Sequence, residues 1–238
     1  MFKRLLQVFM MGMIILSFPS CNGVLDGLYD ESKEPQLGFS QVNLKTKTGR
    51  IYIDATSYTA WTFVDLDAKM FRIEEITEKR DTVWTSDDSR VAAVQIKSNL
   101  KNNDAEENPW SFAMHRYDVK TNGGAVMETQ FTNLVDLMYY GKLPEGVFTE
   151  DINDRVIVDM SLMMNNGMIY TPSNVNVELS KWISTDLSQM PPIYTPSNKV
   201  YIVKFPDGVM AALRFVNYMN MSNEKGFITI DYVYPLEF

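Results

Sequence analysis

The sequence predicts a mostly antiparallel all-β domain with one or two short helices. Three observations lead there. Runs rich in Val, Ile, Phe, Tyr and Thr alternate apolar with polar residues. Clusters of Gly, Pro, Asn and Asp separate these runs at turn spacing. Apolar residues at helical spacing are scarce.

The run GRIYIDATSY alternates over residues 51–55, and TAWTFVDL alternates from Trp61 through Phe63 to Leu66. Residues 90–96 form a further candidate strand. Residues 110–119 (WSFAMHRYDV) alternate as one strand and meet the turn Asn122-Gly123-Gly124, from which residues 125–131 leave as the next. Helical spacing is confined to residues 133–140 and 180–187. Near the C-terminus KVYIVKF, VMAALRFVNYM and FITIDYVYPL are separated by turns at residues 206–208 and 222–226. They predict a three-stranded antiparallel meander.

The N-terminus reads as an export segment. Lys3 and Arg4 precede the apolar residues 5–18, and Phe18-Pro19-Ser20 leads into Cys21, the one cysteine. This is the layout of a bacterial secretory signal over residues 1–20 whose removal leaves Cys21 to be lipid-modified; an ordinary cleaved signal is the alternative. The apolar run is too short and wrongly flanked for a spanning helix. Residues 21–45 mix glycine, proline and acids without periodicity and read as a flexible tether, leaving residues 46–238 as one β domain.

Loss of residues 1–20 removes two cations and no acid, which moves the net charge from −8 to −10. With no basic stripe, the chain is not predicted to bind nucleic acid. A lone cysteine allows no internal disulfide and no cysteine-based zinc or redox motif. The single histidine, His115, excludes paired-histidine zinc sites and is expected to pack or hydrogen-bond at a sheet edge. No G-x-S-x-G elbow or phosphate-cradling glycine loop occurs. Asp87, Asp88, Asp151 and Asp154 read as solvated loop acids, so no enzyme is predicted.

Two features remain to be explained. The hexapeptide IYTPSN occurs at residues 169–174, after Met168, and again at residues 193–198, after Met190-Pro191-Pro192. Pro and Asn favour turns, so the copies predict either two similar turns capping adjacent strands or two loops that present methionine sulfur to a metal. Met160, Met163, Met164 and Met168 also crowd around Asn165-Asn166-Gly167, at an expected hairpin tip. At such a tip, large apolar side chains suit an adaptable contact with a flat apolar ligand or a partner surface.

The stretch HRYDVKTNGG (residues 115–124) resembles the HmuY family of haem-binding surface lipoproteins from Bacteroidetes. IYIDATSYTAWTFVDL is similar to the family's opening strands, and NPWSFAMHRYDVKTNGG to its W-x-(A/M)-x-HRYDV-x-x-N-G-G signature. YTPSNKVYIVKFPDGVMAALRFVNYMN with KGFITIDYVYPL is similar to its closing meander. The resemblance spans roughly residue 49 to the C-terminus.

The resemblance implies an all-β, antiparallel two-sheet fold that holds haem b between two protruding loops, one iron ligand from each. Its best-known member uses two histidines. The matching positions here are Met168 and, across a small gap, Met190, which suggests a methionine-ligand branch. Met163 or Met164 substitutes if the hairpin register differs, and Tyr170 and Tyr194 are candidate porphyrin contacts. His115 belongs to the family's structural strand. Further implications are a lipid anchor at the outer-membrane surface, haem capture from host haemoproteins, delivery to a TonB-dependent outer-membrane haem receptor, and assembly into dimers or tetramers. The alternative is a surface module that binds glycan or host protein through Trp84 or Trp182. Trp61 and Trp110 alternate with core positions and are expected to be buried.

Overall fold

The structure is a computed structural model and describes residues 34–43, 48–76, 82–85, 90–92, 109–161, 163, 167–186 and 188–238. Its strands are antiparallel throughout. The largest sheet runs β1 (Gly38–Asn43), β2 (Thr48–Asp54), β17 (Lys225–Val233), β16 (Met210–Met219), β15 (Val200–Lys204), β9 (Ala125–Glu128) and β10 (Thr149–Glu150). A second sheet runs β4 (Met70–Glu75), β3 (Ala60–Asp65), β7 (Phe112–His115) and β8 (Asp118–Thr121). A third runs β11 (Ile152–Asp159), β12 (Gly167–Val175), β5 (Thr82–Thr85) and β6 (Arg90–Ala92). The strands β13 (Ile183–Asp186) and β14 (Ile193–Pro196) pair only with each other.

Side-chain parity explains how the sheets stack. In β3, Val64 faces one core with Ile51, Ile53, Leu213 and Ile230 of the large sheet. Its neighbours Trp61 and Phe63 face a second core with Val156, Val158 and Ile169 of the third sheet. In β7, Phe112 and Met114 take the first core and Ala113 the second. The second sheet is thus covered on both faces, so every residue of β3 and β7 is buried. The one α-helix among the described residues, α1 (Leu134–Tyr140), lays Leu134 and Leu137 on the other face of the large sheet, against Val200, Ile202 and Val233. Asn133 accepts from the Val135 amide at its start, and Gly141 closes its end at φ 68°.

The antiparallel all-β class, the C-terminal meander β15–β16–β17 and the helix from Asn133 all stand as the sequence predicts. The strands nevertheless form three stacked sheets and a hairpin, where the resemblance implies two. The turn at residues 122–124 is present, with Gly123 at φ 67°, yet it hands the chain from the second sheet to the first instead of closing a hairpin. Strand β1 lies within the stretch assigned to the tether and pairs with β2, so the sheet begins before residue 46. The expected helix over residues 180–187 is a 3-10 turn (Leu179–Trp182) followed by β13; Trp182 enters the core and the β-branched Ile183 and Thr185 continue extended. Of the candidate strand at 90–96, only β6 lies among the described residues.

Residues 110–119 are two strands, not one. The chain reverses at Arg116-Tyr117, with His115 opposite Asp118. Arg116 holds φ 55°, a conformation that costs an L-residue energy, and no Gly or Asn announces it. Its guanidinium offsets that cost by donating to the Thr56 carbonyl at 2.7 Å while stacking on Tyr58 at 4.6 Å. Gly226, at φ 106°, lets this happen, since a Cβ there would stand 2.9 Å from both the guanidinium and Thr56 Cα.

Asp151 is not the solvated loop acid that its polar surroundings suggest; Asp154, by contrast, is exposed. Asp151 accepts from the Thr121 amide at 2.7 Å, the Thr121 hydroxyl at 2.9 Å and the Asn176 amide at 2.9 Å, tying the second and third sheets together. Burial raises its pKa, outweighing these hydrogen bonds. The unfolded chain therefore releases this proton at a lower pH than the folded one. Stability falls as pH climbs from the ordinary aspartate value to the raised one, then levels off. Urea denaturation of the wild type and Asp151→Asn between about pH 3.5 and 7 checks this. The difference is expected to move in favour of the Asn variant as pH rises; a difference that stays flat contradicts it.

Candidate functional site

Strand β12 begins at the tip of the β11–β12 hairpin and places Ile169 and Thr171 in the second core. Met168 and Tyr170 consequently share the opposite, outer face, and both are half-buried. Met168 pairs with Trp84 in the neighbouring strand, and the Tyr170 hydroxyl lies 4.0 Å from its sulfur. The Arg155 guanidinium covers the Tyr170 ring at 4.6 Å. Met163, in the tip itself, is 44 % exposed. Met164 and Asn165-Asn166 lie outside the described residues, as does Cys21.

Met190 stands at the tip of the β13–β14 hairpin and is 84 % exposed, beside the exposed Ile193. Apolar side chains so far out of a packed core are an opportunity for a ligand. Tyr194, on β14, anchors that hairpin. Its ring packs 5.2 Å from Tyr117 and 5.8 Å from Tyr218, with the Lys225 ammonium 4.2 Å above it. Burial raises the pKa of Tyr194, and raises that of Tyr117 further, so both rings remain neutral phenols.

Both copies of IYTPSN are strands. Residues 169–174 lie wholly inside β12, and the second copy runs through β14 before leaving the ladder at Ser197, with Asn198 at φ 57°. The paired-turn reading is thereby corrected, because Tyr and Thr in each copy meet a partner strand that local turn preference cannot foresee. The copies sit in different sheets, and among the described residues no hydrogen bond or ring contact joins the Met168–Tyr170 pair to the Met190–Tyr194 hairpin.

The HRYD turn explains why the second hairpin stands where it does, a link that sequence reasoning missed. Trp182, fully buried just before β13, stacks on Phe215 at 4.6 Å and donates from Nε1 to the Tyr117 carbonyl at 3.0 Å. Tyr117 in turn packs edge-on against Trp182 and against Tyr218. The motif thus forms the floor beneath the hairpin that carries Met190. A signal existed in its concentration of aromatic and cationic residues, but their partners are distant in sequence.

His115 is 1 % exposed, with Nε2 bonded to the Tyr58 carbonyl at 2.8 Å and the ring 5.2 Å from Trp61. It packs and hydrogen-bonds as expected, but in β7, flanked by β3 and β8, instead of at a sheet edge, and it is sealed off from any external iron. Among the described residues no three His, Cys, Asp or Glu side chains gather as a metal site. Met163 and Met190 bring thioether sulfur, a soft donor, to the two hairpin tips.

The tryptophans offer little to a sugar. Trp61 and Trp182 are buried, and Trp110 packs against Phe63 at 5.1 Å beneath the buried Lys120 amine. The side chain of Trp84 is not among those described.

A family model described as HmuY protein matches residues 57–232. Among solved structures, a protein from Bacteroides vulgatus ATCC 8482, described as HmuY-like and haem-binding, is 43% identical with a TM-score of 0.70. That match covers 85% of this chain and 100% of the other. A protein from Bacteroides fragilis NCTC 9343, described as a lipoprotein, is 37% identical with a TM-score of 0.71, covering 87% and 100%. The apo form of a HmuY analog from Tannerella forsythia is 26% identical with a TM-score of 0.63, covering 78% and 94%. Among curated proteins nothing matches the chain.

Proposed function

The chain belongs to the HmuY family, and from that premise we propose that it captures haem b through two axial methionine sulfurs, Met168 and Met190. The observation that carries this reading is the pair of methionines on two hairpins, one half-buried beside Tyr170 and one almost fully exposed above Tyr194, in a domain whose only histidine is sealed in the core. Each of the two tyrosines carries a cation on its ring face, Arg155 or Lys225, which suits the two propionate carboxylates of haem. Met163 or Met164 takes the place of Met168 if the tip adopts a different register.

In cells the proposed role is that of a surface haem carrier. Cys21, lipid-modified after removal of residues 1–20, tethers the domain to the outer membrane. There it takes haem from host haemoproteins and passes it to a TonB-dependent receptor, as a monomer or a small oligomer. Similarity to a protein described as a lipoprotein supports the anchor. Affinity comes from iron–sulfur coordination and burial of the porphyrin faces, with no covalent step.

Hemin added to the purified domain in reducing buffer, then desalted, tests the reading. Haem is expected to elute with the protein; colourless protein in every condition contradicts it. Thioether sulfur holds no proton, so affinity for reduced haem is expected to stay nearly constant between about pH 5 and 8, the range where histidine ligands titrate. A fall of tenfold or more toward pH 5 argues for a titrating ligand instead.

A further inference from the structure

A polar cleft of about 580 Å³ opens on the face of the large sheet that carries α1. Its floor is a row of charges crossing three strands, for the register sets Arg50 opposite Asp231 and Asp231 opposite Arg214. Arg50 occupies both carboxylate oxygens, from Nε at 2.6 Å and Nη2 at 3.0 Å. Arg214 is left with Nη1 4.0 Å from the carboxylate, beyond hydrogen-bond reach, and with a buried Nε that has no partner. Two guanidiniums share one carboxylate, so the row carries a surplus positive charge in a chain whose net charge is −8.

The walls show what kind of anion would sit there. Ser40, Asn43 and Asn133 bring a hydroxyl and amides around the row, and apolar side chains enter only at the start of the helix. The volume lies within the range of small-ligand sites, about 300–1,000 Å³, and the polar groups of the lining converge on the charged row. We propose that this cleft binds a sugar-sized, hydroxylated molecule bearing one carboxylate or phosphate group, whose oxyanion accepts from Arg214. The site is independent of haem. Because Arg50 takes both carboxylate oxygens at hydrogen-bond distance, Arg214 keeps only a long ion pair with Asp231, while the hydroxyl and amides meet the ligand's hydroxyls.

The test is NMR of arginine side-chain Nε–H groups in the mature domain during titration with D-glucuronate, glucose 6-phosphate and methyl β-glucoside. At least one acid is expected to shift the Arg214 signal saturably, and the neutral glucoside is not. A response to glucuronate alone assigns a carboxylate ligand, to the phosphate alone a phosphate ligand, and to both their shared oxyanion. Arg214→Gln is expected to weaken binding about tenfold or more. Arg50→Gln, at a residue 52 % exposed, frees Asp231 to pair with Arg214 and is expected to weaken it similarly without disturbing the fold. Raising the salt lowers affinity in every case. Absence of saturable shifts with both acids, equal binding of the neutral glucoside, or an Arg214→Gln variant that binds like the wild type overturns the proposal.

Discussion

Replacing Met168 and Met190 together by alanine is expected to abolish the six-coordinate spectrum of the reduced haem complex, while each single replacement leaves a five-coordinate species. Changing residues that merely orient a metal's ligands costs about 10–100-fold in affinity, so losing both ligands is expected to cost at least that. The structure makes this a clean experiment. Met190 is 84 % exposed and Met168 lies half-buried on an outer sheet face, so neither truncation opens a hole in a core. An exposed substitution such as Met190→Ala changes stability by about 0.5 kcal/mol or less, the half-buried Met168→Ala by about 1 kcal/mol, and urea denaturation separates a lost ligand from a lost fold. A double variant that retains the wild-type spectrum, with Met163→Ala or Met164→Ala removing it instead, moves the ligand into the hairpin tip.

The largest effect on stability is expected at Trp182. Truncation to alanine removes a fully buried ring, its stack on Phe215, and the hydrogen bond to the Tyr117 carbonyl. Large-to-small changes of this type cost about 3–5 kcal/mol. Trp182→Phe keeps most of the packing and loses chiefly the hydrogen bond, for which about 1 kcal/mol is expected. Because Trp182 and Tyr117 support the β13–β14 hairpin, haem affinity is expected to fall in the order wild type, Phe variant, Ala variant. Urea midpoints give the stabilities, and a cost for the alanine variant below about 1 kcal/mol contradicts the packing account.

These two sites differ in how far the sequence discloses them. The meander was legible because Gly208, Asn223 and Gly226 supply the positive φ its turns need, and such residues announce themselves. The reversal at Arg116 was not, because arginine is no turn former and its stabilising acceptor, the Thr56 carbonyl, is distant in sequence. Alternation in β3 marked Trp61 and Phe63 as core, but a strand covered on both faces also buries Thr62, which is satisfied by the Asp54 carbonyl. The two IYTPSN copies misled for a similar reason. Their Pro and Asn speak for turns locally, while ladder partners in two different sheets hold the first copy and residues 193–196 of the second extended; only Asn198 takes the turn conformation.

Methionine positions were readable by alignment of motifs, whereas their surroundings were readable only in part. Alternation along β12 already puts Tyr170 on the same face as Met168, whereas nothing local puts Lys225 above Tyr194, which depends on how the β13–β14 hairpin packs against the large sheet. The sequence places His115 at a sheet edge, whereas its strand lies between β3 and β8 and the hydrogen bond to the Tyr58 carbonyl holds it in the core.

The most direct measurement is an absorption titration of hemin into the mature domain, performed once in oxidising buffer and once with dithionite. Neutral sulfur donors offer ferric iron no compensating charge and favour the ferrous state. Sharp Soret and Q bands with tight saturable binding are expected on reduction, against weaker and broader changes when oxidised. Identical spectra and affinities in the two states would contradict capture by a pair of thioethers.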